Sequence, residues 1–264
     1  MSDDQLAWRC HANCIETARE GARMAGSAGE IFERDGVVLF ATGSDFPVIA
    51  NGAFRLDPTV PANAVIDLAE GWFAERGRGW SLGTTTWSGA DQDLIDAAAA
   101  RGMVTTTDMP GMVCDQRLPP AALPDGIVLR TLTTTEEAAT YVAMCDLAYV
   151  SLGLPAGEIS AMGGGVAPKT PPHMTTVGLF DGEELVSGAQ VLFSHGIAGV
   201  YLVATAESAR GRGLAGIVTR AVTNLGFDGG ASCVTLQASP MGESIYRHLG
   251  YRDLYRYATH TRFA

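Results

Sequence analysis

Long apolar runs are missing from this 264-residue sequence. None approaches the ~20 residues that cross a bilayer, so a membrane span is excluded. Charge is scarce at 18% of residues, against 47% hydrophobic; a chain so apolar can bury a sizeable core, which rules out extensive disorder. A secretory leader is not expected either, because Met1 to Arg9 carries Asp3 and Asp4 where a basic stretch and an apolar run would stand. Cysteine is sparse and odd in number: Cys10, Cys14, Cys114, Cys145 and Cys233. The set reads as reduced thiols of a cytoplasmic protein, not as a disulfide framework. Cys10 and Cys14 share a helix face, but His11 points elsewhere, so no metal site is expected. Neither G-x-S-x-G nor H-E-x-x-H occurs, and there is no short tandem repeat.

What charge there is, is unevenly spread. The net charge is −11. Residues 1–125 hold 18 acids against 9 bases and residues 126–209 hold 8 against 2. Residues 210–264 reverse the sign, with 3 acids against seven arginines: Arg210, Arg212, Arg220, Arg247, Arg252, Arg256 and Arg262. An acidic body excludes general nucleic-acid binding, where a positive field supplies most of the affinity. The basic quarter suits one small polyanion, and the acidic remainder would steer a cationic second substrate.

Periodicity and punctuation give an α/β pattern. A helix is expected over 3–26, strands over 36–42 and 49–56, a helix opened by Pro61 to about 76, a strand over 80–87, a helix over 90–101 and a strand over 103–107. Residues 118–126, with three prolines and a glycine, are the best linker. Beyond it come a strand over 127–132, a helix started by the capping-box pair Thr134 and Glu137, a Gly- and Pro-rich loop over 162–172, and a hairpin over 175–193 turning at Asp181-Gly182. Then come strand 197–205, helix 214–227, strand 231–237, helix 242–249 and strand 255–263. Both halves share an order of hairpin, helix, strand, helix, strand, as after a divergent duplication.

The sharpest feature is Ala209-Arg-Gly-Arg-Gly-Leu-Ala-Gly216, after a strand and at a helix start. Glycines let backbone N–H groups approach a ligand, a helix start favours an anion, and Arg210 and Arg212 add charge: a phosphate or pyrophosphate cradle. Two cradles fit the letters. Gly211, Gly213 and Gly216 satisfy the dinucleotide fingerprint, but the loop does not follow its strand directly and no acid ends the next strand to hold a ribose. Arg210, Gly213 and Ala215 satisfy R-x-x-G-x-A.

The context of Leu236 to Tyr251 decides between them: a strand, a short helix bearing Tyr246, then Gly250 and an aromatic. Together with the loop, over roughly residues 126–264, this closely resembles the GNAT superfamily of N-acetyltransferases. The resemblance implies an α/β fold of two GNAT-like domains, each a mixed, mostly antiparallel sheet flanked by helices, divided as 1–117, linker 118–126 and 127–264. It implies acetyl-CoA as co-substrate, with pantetheine along Val203, Ala204 and Thr205, and a backbone N–H near Val203 to stabilise the thioester oxyanion. Pyrophosphate would lie on Gly211, Arg212, Gly213, Leu214, Ala215 and Gly216, with Arg210 assisting, and Tyr246 would be the general acid for the leaving thiolate. The acceptor would be a primary amine on a small molecule or peptide, deprotonated by a base for which Glu207, His195 and Tyr201 are candidates. An acyl-CoA sensor without turnover and a Rossmann-type oxidoreductase are the alternatives.

The first half looks like a degenerate copy. Its cradle position, Arg55 to Ala62, lacks the glycines, and Asp57 would repel phosphate. It is expected not to bind CoA but to wall the acceptor site, with Phe46, Asn51, Phe54 and Trp87 as candidate lining residues.

Overall fold

The computed structural model describes residues 1–87, 89–163 and 173–264. Of the loop expected over 162–172, residues 164–172 lie outside that description. The first half is built from α1 (Asp3–Met24), β1 (Glu30–Arg34), β2 (Val37–Ala41), β3 (Asn51–Arg55), α2 (Ala62–Ala74), β4 (Trp80–Thr86), α3 (Gln92–Ala100) and β5 (Val104–Cys114). The second contains β6 (Ile127–Thr131), α4 (Thr135–Val150), α5 (Glu158–Ala161), β7 (Met174–Asp181), β8 (Glu184–Ser194), β9 (Ile197–Thr205), α6 (Leu214–Asp228), β10 (Val234–Gln237), α7 (Glu243–Leu249) and β11 (Arg252–Arg262).

The expected elements form, with three differences. Strand β5 runs on to Cys114 instead of ending near 107. Helix α5 and strand β1 were not anticipated: β1 is an exposed edge of sequence EIFER, whose charges hide its alternation. The turn joining it to β2 did carry a signal. Asp35 and Gly36 adopt φ +50° and +77°, the left-handed pair that Asp-Gly supplies in tight hairpins.

The eleven strands of the described residues make one sheet in the order β1-β2-β3-β4-β11-β5-β10-β9-β8-β7-β6. Neighbours are antiparallel except β3 with β4 and β9 with β10. The halves repeat one plan, hairpin, strand, helix, strand, helix, strand, with β5 and β11 in equivalent places. Those two strands have changed sides. β11 lies against β4 of the first half, β5 lies against β10 of the second, and they pair with each other along the seam.

Helices cover both faces. On one, Val65, Ile66 and Phe73 of α2 and Leu94 of α3 pack on Val37, Leu39, Trp80 and Leu82, while Leu214, Val218 and Val222 of α6 pack on Val191, Val200, Val234 and Met112. Each such buried apolar side chain contributes about 1.5–3 kcal/mol. On the other face α4 covers Phe180, Leu185 and Ala204, and α1 crosses the seam. Ser2 and Gln5 close a capping box at its start. Its Leu6 and Cys10 meet Val113, Ile197 and Tyr255, and its Ile15 and Ala22 meet Val38, Phe40 and Phe54. Between these sets the buried Asn13 donates to the Leu192 carbonyl (3.2 Å) and Ser194 hydroxyl (2.8 Å) and accepts from Tyr201 (2.6 Å).

Candidate functional site

β9 and β10 are paired only at Ala198–Val234 and Gly199–Thr235. Beyond Gly199 they part, so the β10-facing edge of β9 from Val200 to Thr205 has no strand partner among the described residues. The other edge of β9 stays on β8 but passes from Gln190–Tyr201 to Gly188–Ala204 through an irregularity. Leu202 falls in it at φ +49°, a conformation that costs a residue with a Cβ about 1–2 kcal/mol. Helix α4 holds it there. The buried Tyr141 hydroxyl donates to the Leu202 carbonyl, as does the Cys145 thiol at 3.9 Å. Burial keeps the Tyr141 phenol well above its usual pKa, so it stays a donor. A bulge here bends β9 away from its parallel neighbour and leaves Val203, Ala204 and Thr205 on the open edge.

Because β9 and β10 are parallel, α6 and α7 both begin at the same end of the sheet, over that opening. A single 3-10 turn, Glu207–Ala209, separates Thr205 from the glycines, and Ala209 and Leu214 anchor the loop in the core on either side. Gly213 precedes α6 at φ +75°, with open space where a Cβ would stand. No side chain caps this helix start, and among the described residues no partner takes the amides of Gly211 to Gly216. Unsatisfied N–H groups, aligned with the helix dipole, form an anion site. Arg210 is exposed beside it. Arg212 is turned aside, donating to Asp181 at 2.9 Å. That pairing was not legible in the sequence, since it depends on where the β7–β8 turn lies.

Tyr246 sits on α7 beneath Gly242, where a Cβ would come within 2.6 Å of its ring. It is 8% exposed and belongs to the core of the second half, its ring centroid 6.0 Å from that of Tyr251. Burial pushes its pKa up to about 12.

Of the candidate bases, Glu207 is exposed in the turn that leads into the cradle. His195 lies in the β8–β9 turn, at the opposite end of β9 from Thr205. Tyr201 spends its hydroxyl on Asn13, and burial holds its pKa well above the ordinary value, so it is a poor proton acceptor.

The first half has the same opening with different contents. β3 and β4 pair only at Gly52–Ser81 and Ala53–Leu82. The buried Arg55 occupies the place beyond, bonding Asp91 at 3.0 Å and Asp93 at 2.8 Å, with the carbonyls of Val60 and Ala90. Asp57 accepts from the amide and hydroxyl of Thr59, which holds its carboxyl below the usual range. Asn51 is buried in hydrogen bonds to the Ser44 and Phe46 carbonyls. Of the four candidate lining residues, Trp87 borders a cavity between α1 and the β8–β9 turn.

Among the described residues no helix is long and apolar enough to cross a membrane. No family model and no curated protein matches the sequence. Solved structures do resemble this one. A GCN5-related N-acetyltransferase from Kribbella flavida superposes with a TM-score of 0.68 at 19% identity, over 92% of this chain and 94% of that one. A GCN5-related N-acetyltransferase-like protein from Streptococcus suis gives 0.56 at 16%, over 94% and 99%. A tandem GNAT protein from the clavulanic acid biosynthesis pathway gives 0.57 at 16%, over 90% and 84%.

Proposed function

From the premise that this chain has the fold of the GCN5-related N-acetyltransferases in tandem form, we propose that its second half, residues 127–264, transfers an acetyl group from acetyl-CoA to a primary amine. The observation that carries the proposal is the open edge of β9 leading to a helix start whose amides have no partner. Such a strand edge suits the amide groups of pantetheine, and the amides of Gly211 to Gly216, with Arg210, suit its pyrophosphate. The dinucleotide reading of the same glycines loses its frame, because the sheet is mostly antiparallel and not doubly wound.

In this reading a neutral amine attacks the acetyl carbonyl carbon. A backbone N–H at Val203 stabilises the oxyanion, the C–S bond breaks, and the thiolate takes the Tyr246 proton. The amine's surplus proton leaves to water or to a base, for which Glu207 stands nearest in the chain to the cradle. The first half, residues 1–117 before the linker 118–126, is silent toward CoA, because Arg55 with its two aspartates fills the corresponding mouth. The acceptor is a small amine or a peptide amine, and the acidic body favours a cationic one.

Calorimetric titration tests this. One acetyl-CoA per chain is expected at roughly micromolar Kd, about −8 kcal/mol. Gly213→Asp should abolish binding, by placing charge and a strained side chain against the phosphates, while Asp57→Asn leaves affinity unchanged. Near-normal affinity in Gly213→Asp would refute the cradle, and a second site in the wild type would refute the silent half.

A further inference from the structure

A cavity of about 340 Å³ opens on the outer side of the Arg55 ion pair, between α1, the loops after β3 and β4, and the β8–β9 turn. It is not the cradle described above. Its His195 wall stands before β9 and Thr205 ends it, so the length of β9, about 26 Å at 3.3 Å per residue, lies between them.

The lining is aromatic and its charges are already matched. Trp8, His11, Trp87 and His195 supply rings, and Ile15, Leu56 and Pro58 supply aliphatic surface. Asp91 gives one oxygen to Arg55 at 3.0 Å and the other to the Thr85 amide at 2.9 Å. Arg19 bonds Glu16 at 3.1 Å and Glu33 at 2.7 Å. A charged ligand would leave water here and meet no free counter-charge, which is costly.

Two polar atoms are unmatched. His11, 6% exposed, is held between Phe54 and Trp87, with ring centroids 5.7 and 5.8 Å away. Its Nδ1 has no hydrogen-bond partner among the described residues, and neither does Nε of Arg55, also 6% exposed. Both atoms are themselves buried, so neither is offered to a ligand in the cavity, and the wall leaves no free charge and little open polarity. Burial, against the opposing charge of Asp91, lowers the His11 pKa to about 4; the ring is neutral at pH 7 and adds no positive charge.

We propose that this cavity binds a small, uncharged, flat-ringed molecule. Its ring lies against the indoles of Trp8 and Trp87.

Benzamide, benzoate and benzamidine share one outline and carry no charge, one negative charge and one positive charge. Titrated calorimetrically into the full chain, benzamide is expected to bind once, with the two ions at least tenfold weaker. Trp87→Ala should weaken benzamide at least tenfold. Ala12→Phe, which fills the cavity from an ordinary helix position, should abolish binding with the thermal melt unchanged; Ala90→Leu serves if that variant does not fold. The proposal is overturned if neither benzamide nor its ions bind, if an ion binds as tightly as benzamide, or if a folded cavity-filling variant still binds. Displacement of benzamide by acetyl-CoA would assign the cavity to the acyl donor and also overturn it.

Discussion

Tyr246 reaches its place by packing, and that packing keeps its phenol protonated. With its pKa pushed up to about 12 by burial it is almost wholly protonated up to pH 10, so in the proposed reaction it would begin each turnover with its proton. Tyr246→Phe should lower kcat at least tenfold between pH 7 and 10 with little change in KM for acetyl-CoA. Wild-type kcat should show no alkaline fall from this group below pH 10, since an acid is lost only as pH rises through its own pKa. An unchanged kcat in the variant would leave Tyr246 as core alone and favour a chain that binds acyl-CoA without turnover. The shape of the glycine loop was legible in the sequence because it is local: the letters that relax the backbone are the letters that bare its amides. Leu202 was not. Its left-handed backbone is imposed from α4, some 60 residues earlier, by a tyrosine and a cysteine that carry no motif.

Among the elements, β3 and β9 open the sheet in the same way and differ in the segment that each strand leads into. After β9 a glycine loop leaves helix amides bare; after β3 an arginine side chain turns back and is neutralised by the start of α3. Arg55→Ala should strand Asp91, 8% exposed, without its counter-ion. Urea unfolding should then read a loss of about 3–5 kcal/mol, as expected for breaking one side of a buried pair, and Arg55→Lys should restore part of it. A loss below about 1 kcal/mol would mean that water replaces the ion pair. The sequence pointed to the missing cradle through Asp57 and the absent glycines. It did not point to the plug, because Arg55 and Asp91 meet only after α2 and β4 have folded between them.

At the scale of the whole molecule, the exchange of β5 and β11 makes each half an incomplete sheet without the other. All four tryptophans precede residue 90, and Trp72 and Trp80 lie in the core of the first half, so fluorescence weighs the first half, while the proposed acetyl-CoA binding would report the second. Both signals should be lost at one urea concentration, and a chain stopped after Tyr251 should lose the tryptophan signal of the folded state although every tryptophan is retained. Two separated transitions would show that the halves stand alone. The duplicated order of elements was visible in the sequence. The exchange was not, because β5 and β11 hold the same place in the order of elements, and that order does not say which of them lies on β4.

That ambiguity matters most while the chain is being made. Translation delivers about 5–20 residues each second, so β5 leaves the ribosome on the order of ten seconds before β11. In that interval β5 is the strand of the first half that follows β4, and a bare β4 edge invites pairing with whatever strand comes near, including one of a neighbouring polypeptide. A nascent first half that closed on β5 would have to release it before β11 could take its place on β4.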